Sequence, residues 1–258
     1  MNPYVRLDVQ DHVATLTFNR PDSFNAFDLG MARALLDAAL TCEHDERVRA
    51  VLVTGAGKHF CFGGDLKGMS EQGDGVSRYL NELTTYVNGA IACFTRMRAP
   101  VVAAVNGTAA GAGVGVACMA DLAIAGQGTK FSLAYTGVAL APDCGTSFLL
   151  PRIVGRRRAL ELMLLNRVLT ADEALQWGLV NQVVADGELL ATAQALAARL
   201  AAGPLESYGA VKRLMEAGDP GIEGHMALEG RAIAARAVSA EGREGVSAFL
   251  AKRKAQYT

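Results

Sequence analysis

Two short, almost uninterrupted apolar runs, Ala50–Thr54 and Val101–Val105, constrain this chain more than any other feature, because each leads straight into a glycine-bearing turn. A run of five residues with so little polar alternation reads as a buried strand. Val13–Phe18 alternates apolar and polar positions as a half-buried strand does, and Asn19-Arg20-Pro21 breaks it. Leu122–Ala125 is a further strand. Between them, Leu29, Ala32, Leu36 and Leu40 recur at helical spacing, Val76–Met97 reads as a helix stopped by Pro100, and a small-residue helix begins at about Gly113. Strand, loop, helix and strand in repetition predict an α/β fold of stacked units.

Beyond Pro151 the chain becomes mostly helical. Thr170-Ala-Asp-Glu173 is a capping box and Gly178 a C-terminal cap, while Leu189–Leu200 and Gly221–Leu250 are alanine-rich and helical in pattern. The boundaries expected are residues 1–200 for the layered core and residues 201–258 for a helical oligomerisation region. With 51% hydrophobic and 20% charged residues, the chain has material for a substantial core. Twenty-five basic side chains against 26 acidic ones leave no positive field to attract nucleic acid or an anionic membrane. The five cysteines are scattered and never form C-x-x-C, which disfavours disulfide and zinc frameworks and suits a reducing compartment. Neither a leader-like apolar segment nor a membrane-length one occurs, so the expected location is the cytoplasm.

Several motifs fail on their spacing. Gly57-Lys58 would need glycine at Leu52 and a hydroxyl residue at His59 to be a phosphate loop. Gly111, Gly113 and Gly115 are not spaced as a dinucleotide fingerprint. Ser147 lacks the second glycine of a nucleophile elbow, Leu149 standing in its place. The four histidines share no metal-ligand spacing, so no metal site is expected.

Two stretches remain, Lys58-His-Phe-Cys-Phe-Gly-Gly-Asp-Leu66 and Asn106-Gly-Thr-Ala-Ala-Gly-Ala-Gly113, each after a buried strand. Glycines let main chain approach a ligand closely, and a helix N-terminus presents free N–H groups to negative charge. Taken singly, either loop could be a tight turn and nothing more. Together with N-R-P-x-x-x-N-A at Asn19–Ala26, the segment through Asp121 and Glu244-Gly-x-x-x-Phe249, they make the chain resemble the crotonase, or enoyl-CoA hydratase/isomerase, family along nearly its whole length.

That resemblance implies a spiral of repeated ββα units with a C-terminal helical trimerisation domain, and a homotrimer or hexamer. It implies an acyl-CoA thioester substrate, coenzyme A being part of the substrate, with no prosthetic group. The N–H groups of Gly64 and Ala112 would hold the thioester oxygen; losing one such donor typically costs about 3 kcal/mol of transition-state stabilisation. Phe24, Ala26, Phe62, Asp65, Leu66 and Gly111 match substrate-binding positions, and Phe249 and Lys252 match C-terminal residues that reach the CoA nucleotide, often from a neighbouring subunit.

The family's hydratases use two glutamates, and the matching positions here carry Gly115 and Tyr135, whose phenol has an ordinary pKa near ~10. Asp143 is the acid that remains and matches the carboxylate of isomerase branches. Its other reading is a cap on a helix expected over Cys144–Val154. Tyr135 would line the acyl pocket or simply pack. The expected activity is an enoyl-CoA isomerase. The alternatives are a hydratase, a dehalogenase or thioesterase using Asp143 as nucleophile, or a non-catalytic CoA-ester-binding protein. Against the dehalogenase, its histidine base matches Asn88 and its tryptophan matches Tyr135.

Overall fold

The computed structural model describes residues 3–257, and in it the apolar runs become the middle of a six-stranded sheet. Its strands are β1 (Val5–Gln10), β2 (Val13–Phe18), β3 (Ala50–Gly55), β4 (Val101–Val105), β6 (Leu122–Gly126) and β9 (Gln182–Val184), in the order β1-β2-β3-β4-β6-β9. The β1–β2 pair is an antiparallel hairpin, and every later pairing is parallel. Alternate residues of β3 and β4 feed two separate apolar clusters. Val51, Val53, Val101, Ala103 and Val105 point into the larger one, with helices α1 (Leu29–His44) and α3 (Val76–Arg96). Leu52, Val102 and Ala104 point to the other face, under Ala193, Ala197 and Ala201 of α8 (Leu189–Ala201). A parallel sheet covered on both faces has no polar side to show, which is why these strands lack alternation.

A second sheet of three short strands, β5 (Thr108–Ala110), β7 (Lys130–Ser132) and β8 (Leu169–Thr170), runs beside the first. Twice the chain leaves a long strand, enters a short one and continues into a helix. First comes β4, β5 and α4 (Ala112–Met119); then β6, β7 and α5 (Thr146–Val154). This is the expected spiral of ββα units. All eight residues of α4 are buried, so that helix is held by its surroundings and not by propensity.

The remaining helices are α2 (Leu66–Ser70), α6 (Arg156–Leu165), α7 (Ala171–Trp177), α9 (Leu205–Glu216), α10 (Gly221–Ala237) and α11 (Ala240–Leu250). The capping box at α7 forms in both directions. Thr170 Oγ1 accepts from the Glu173 N–H at 3.3 Å, a Glu173 carboxylate oxygen accepts from the Thr170 N–H at 3.0 Å, and Gly178 closes the helix with φ of 78°. The alanine-rich stretch from Gly221 breaks at Ser239, whose hydroxyl caps α11 by accepting from the Gly242 N–H. Among the described residues, no helix is long and apolar enough to cross a membrane.

Candidate active site

The two glycine stretches meet because the first is zippered onto β5. The N–H groups of Phe60 and Cys61 donate to the Thr108 carbonyl at 3.1 and 3.2 Å, and the Ala110 N–H donates to the Cys61 carbonyl at 2.8 Å. On the far side, the Gly111 N–H donates to the Ser132 carbonyl of β7 at 2.8 Å. Side chains are excluded at the seam. A Cβ on Gly63 would lie 2.8 Å from both the Ala112 nitrogen and the Ala110 carbonyl oxygen, and one on Gly113 would lie 2.2 Å from the Cys61 carbonyl oxygen. Gly63 and Gly111 also have φ of 81° and 51°, where L side chains are strained.

Within this main-chain scaffold the N–H groups of Gly64 and Ala112 have no hydrogen-bond acceptor among the described residues. Both residues line one cavity of about 290 Å³, in which Ala112 is the first residue of α4. Two N–H donors left unpaired at a helix start can hold a developing oxyanion.

The same cavity takes Asp143, Tyr135, Gly111, Phe62 and Leu66. Met69, Leu80, Leu83, Thr84, Leu133, Val138 and Leu140 also line it, from α2, from α3 and from the segment after β7. Sequence reasoning missed these, since leucines on an amphipathic helix read as core. Tyr135 donates its phenol to Asp143 Oδ1 at 2.7 Å. Burial, with the Asp143 charge second, pushes the Tyr135 phenol far above its ordinary value, so it remains a donor.

Asp143 does not cap α5. Cys144 and Gly145 are both left-handed, with φ of 51° and 69°, and Gly145 takes the N-cap position with no side-chain cap bond. The helix therefore starts at Thr146, two residues later than expected. At Gly115 a Cβ would lie 2.6 Å from the Cys144 carbonyl oxygen and 2.6 Å from Thr146 Oγ1. No side chain fits at Gly115 unless Cys144 or Thr146 moves.

Phe24, at φ of 53° and 52% exposed, lies outside the cavity but packs on Phe62 at its mouth, with ring centroids 5.0 Å apart. The polar members of N-R-P-x-x-x-N-A are engaged internally. Arg20 donates to the Ala26 carbonyl at 2.6 Å, and Asn25, fully buried, bridges Arg20, Ala56 and His59. Ala26 is buried and contributes that carbonyl, away from the cavity lining. Asp65, expected at the substrate, instead caps α2 by accepting from the Gly68 N–H at 3.1 Å and pairs with Arg20 at 3.3 Å. Phe249 and Lys252 lie exposed outside the cavity.

The sequence model of the enoyl-CoA hydratase/isomerase family matches residues 8–258. The chain is 38% identical over 260 residues to a 1,2-epoxyphenylacetyl-CoA isomerase of Escherichia coli, covering 100% of this chain and 99% of that one. It is 35% identical over 216 residues to 4-chlorobenzoyl coenzyme A dehalogenase-2 of an Arthrobacter species, covering 83% and 78% respectively. The crystal structure of an enoyl-CoA hydratase from Mycobacterium smegmatis superposes with a TM-score of 0.90 at 35% identity, over 99% of each chain. With the two glycine loops joined around one cavity and the ββα spiral behind them, this chain belongs to the enoyl-CoA hydratase/isomerase family of the crotonase fold and is an enzyme acting on CoA esters.

Proposed function

We propose that the chain is an enoyl-CoA isomerase that moves a carbon–carbon double bond with one carboxylate. The observation that carries this reading is that Asp143 is the only carboxylate among the described residues lining the cavity. The thioester oxygen accepts from the Gly64 and Ala112 N–H groups. Asp143 removes a proton from the α-carbon of a 3-enoyl-CoA, the electron pair delocalises onto the thioester oxygen, and the dienolate takes the same proton back at the γ-carbon. The double bond ends in conjugation with the carbonyl. Hydration needs a second group to activate water, and the packing around Gly115 supports its absence. The isomerase name of the Escherichia coli relative points the same way.

The test is conversion of 3-hexenoyl-CoA followed by the conjugated-thioester absorbance. Asp143→Asn is expected to lose roughly 10²- to 10⁴-fold of the rate, the usual worth of a positioned acid–base group; unchanged activity in that variant overturns the base assignment, whereas no conversion by the wild type leaves a CoA-ester-binding protein. A companion assay with crotonyl-CoA is expected to show little hydration. The dehalogenase relative favours a second reading, in which Asp143 is a nucleophile. Asn88 sits where that enzyme's base would be and cannot take a proton, and an aryl adduct on Asp143 by intact mass would revive the idea.

Phe24, Phe62 and Leu66 form the rim for the CoA portion in this reading. None of the residues of α10 is buried, and Ile222 and Ile233 are 74% and 71% exposed. Residues 201–258 thus serve to assemble a homotrimer or hexamer, with Phe249 and Lys252 offered to a neighbour's CoA; sedimentation of the protein checks the assembly.

A further inference from the structure

The hydrogen bond from Tyr135 to Asp143 has a consequence for how the proton is carried. Tyr135 is 9% exposed and its ring lies against Gly111, where a Cβ would stand 3.9 Å from Cζ. Near the phenol, Thr146 is fully buried, and its hydroxyl has no hydrogen-bond partner among the described residues. Asp143 Oδ1 accepts from the phenol, and Oδ2 accepts no N–H or O–H among the described residues, although the buried Cys144 thiol lies beside the carboxyl. Asp143 also borders a second, open cleft with Asn88, Ser147 and Glu216. A carboxyl free to turn could therefore pass its proton to solvent through that cleft.

We propose that Tyr135 is a positioning residue, its phenol pinning Asp143 by Oδ1 so that Oδ2 alone takes the α-proton and returns it to the γ-carbon, with Thr146 confining the phenol from behind. This rests on the isomerase reading. The geometry suits both halves of the cycle, because the carbonyl oxygen of a protonated Asp143 accepts from the phenol as its carboxylate oxygen does. The phenol bond need not break while the proton is stored. The pair Tyr135 and Thr146 occupies the region where hydratases place their glutamates and converts it from a second acid site into a clamp on the first.

The experiment follows 3-hexenoyl-CoA carrying deuterium at the α-carbon, in ordinary water, and reads both kcat and the share of deuterium recovered at the γ-carbon. Wild type is expected to transfer a measurable share. Tyr135→Phe keeps the ring and is expected to lower kcat about 10- to 100-fold, as small misplacements of a reacting group do, with KM little changed and the transferred share reduced. Thr146→Val is expected to move both readouts the same way by less. A clamp that only supports the fold would not alter the deuterium partition. If Asp143→Asn is inactive while Tyr135→Phe keeps wild-type kcat and partition, the inference is wrong and the isomerase reading stands. If wild type transfers no deuterium, the inference also falls. If Asp143→Asn remains active, both fall. Should Tyr135→Phe fail to fold, Thr146→Val and its partition decide.

Discussion

The two walls of the acyl cavity are made on opposite principles. One is main chain, where Gly63, Gly64, Gly111 and Ala112 bring N–H groups together, and where an added Cβ at Gly63 or Gly113 would meet backbone at 2.8 or 2.2 Å. The other is side chain, where the Tyr135 phenol is bonded to Asp143 and the buried Thr146 lies near the pair. In the first wall, holding the fold and, in the isomerase reading, holding the oxyanion are a single requirement, met by keeping side chains out. In the second, an isosteric change alters chemistry while leaving the volume intact. Mutations should therefore sort by wall: additions in the main-chain wall disturb stability and activity together, and polar swaps in the other disturb activity alone.

The strongest break in this contrast would come from Gly113→Ala. Its new methyl would overlap the Cys61 carbonyl, whose hydrogen bond to the Ala110 N–H fastens the two loops. The expected loss is about 3 kcal/mol or more, the upper range for overpacking, read by urea unfolding; a loss well under 1 kcal/mol would show that the seam can spread. Gly63→Ala comes next. With φ of 81° and the Ala112 nitrogen in the path of its methyl, it should separate the two donors. The expectation is a fall in kcat/KM of roughly 10²-fold, comparable to losing one oxyanion donor, with a stability cost of about 1–3 kcal/mol from backbone strain. Full activity with an intact fold would mean that the oxyanion is held elsewhere.

Gly115→Glu tests whether exclusion extends to the edge of the side-chain wall. The new Cβ meets Cys144 and Thr146, so the glutamate cannot simply take up a hydratase's post. A destabilisation of about 1–3 kcal/mol is expected, with no gain in crotonyl-CoA hydration. Appearance of hydratase activity would show that Thr146 yields, and would weaken its role behind Tyr135.

What could be read from residues alone follows the same division. The buried strands, the capping box and the glycine loops were legible because each depends on local pattern: apolar runs, a fixed offset, residues without side chains. The hairpin strand β1 was overlooked although Val5, Leu7 and Val9 alternate, because an edge strand with only Val5 fully buried has weak apolar contrast. Strands β5, β7, β8 and β9 span two or three residues, too few for any period to show. The Tyr135–Asp143 bond joins irregular segments, and the left-handed Cys144 that turns Asp143 away from a capping role is not a residue that announces positive φ. The partners of Asp65 were hidden for a related reason. An acid beside a glycine loop looks like a ligand contact, but here Gly68 and Arg20 claim it.

The smallest effect should come from Ala112→Gly, and its smallness is what makes it informative. Ala112 is 3% exposed at the first position of α4, and only its nitrogen is asked to face the thioester oxygen. Taking away the methyl leaves that N–H in place, relieves no clash and opens little space. The stability cost should stay near the general penalty for glycine in place of alanine, about 0.5–1 kcal/mol, and kcat/KM should hardly move. The pairing with Gly63→Ala is then decisive: one methyl removed at Ala112 and one methyl added at Gly63, where it would meet the Ala112 nitrogen at 2.8 Å. If main-chain geometry governs catalysis, the addition is damaging and the removal silent. A large loss from the removal would instead mean that the alanine side chain itself presses on the acyl group and that this wall reads its substrate by shape.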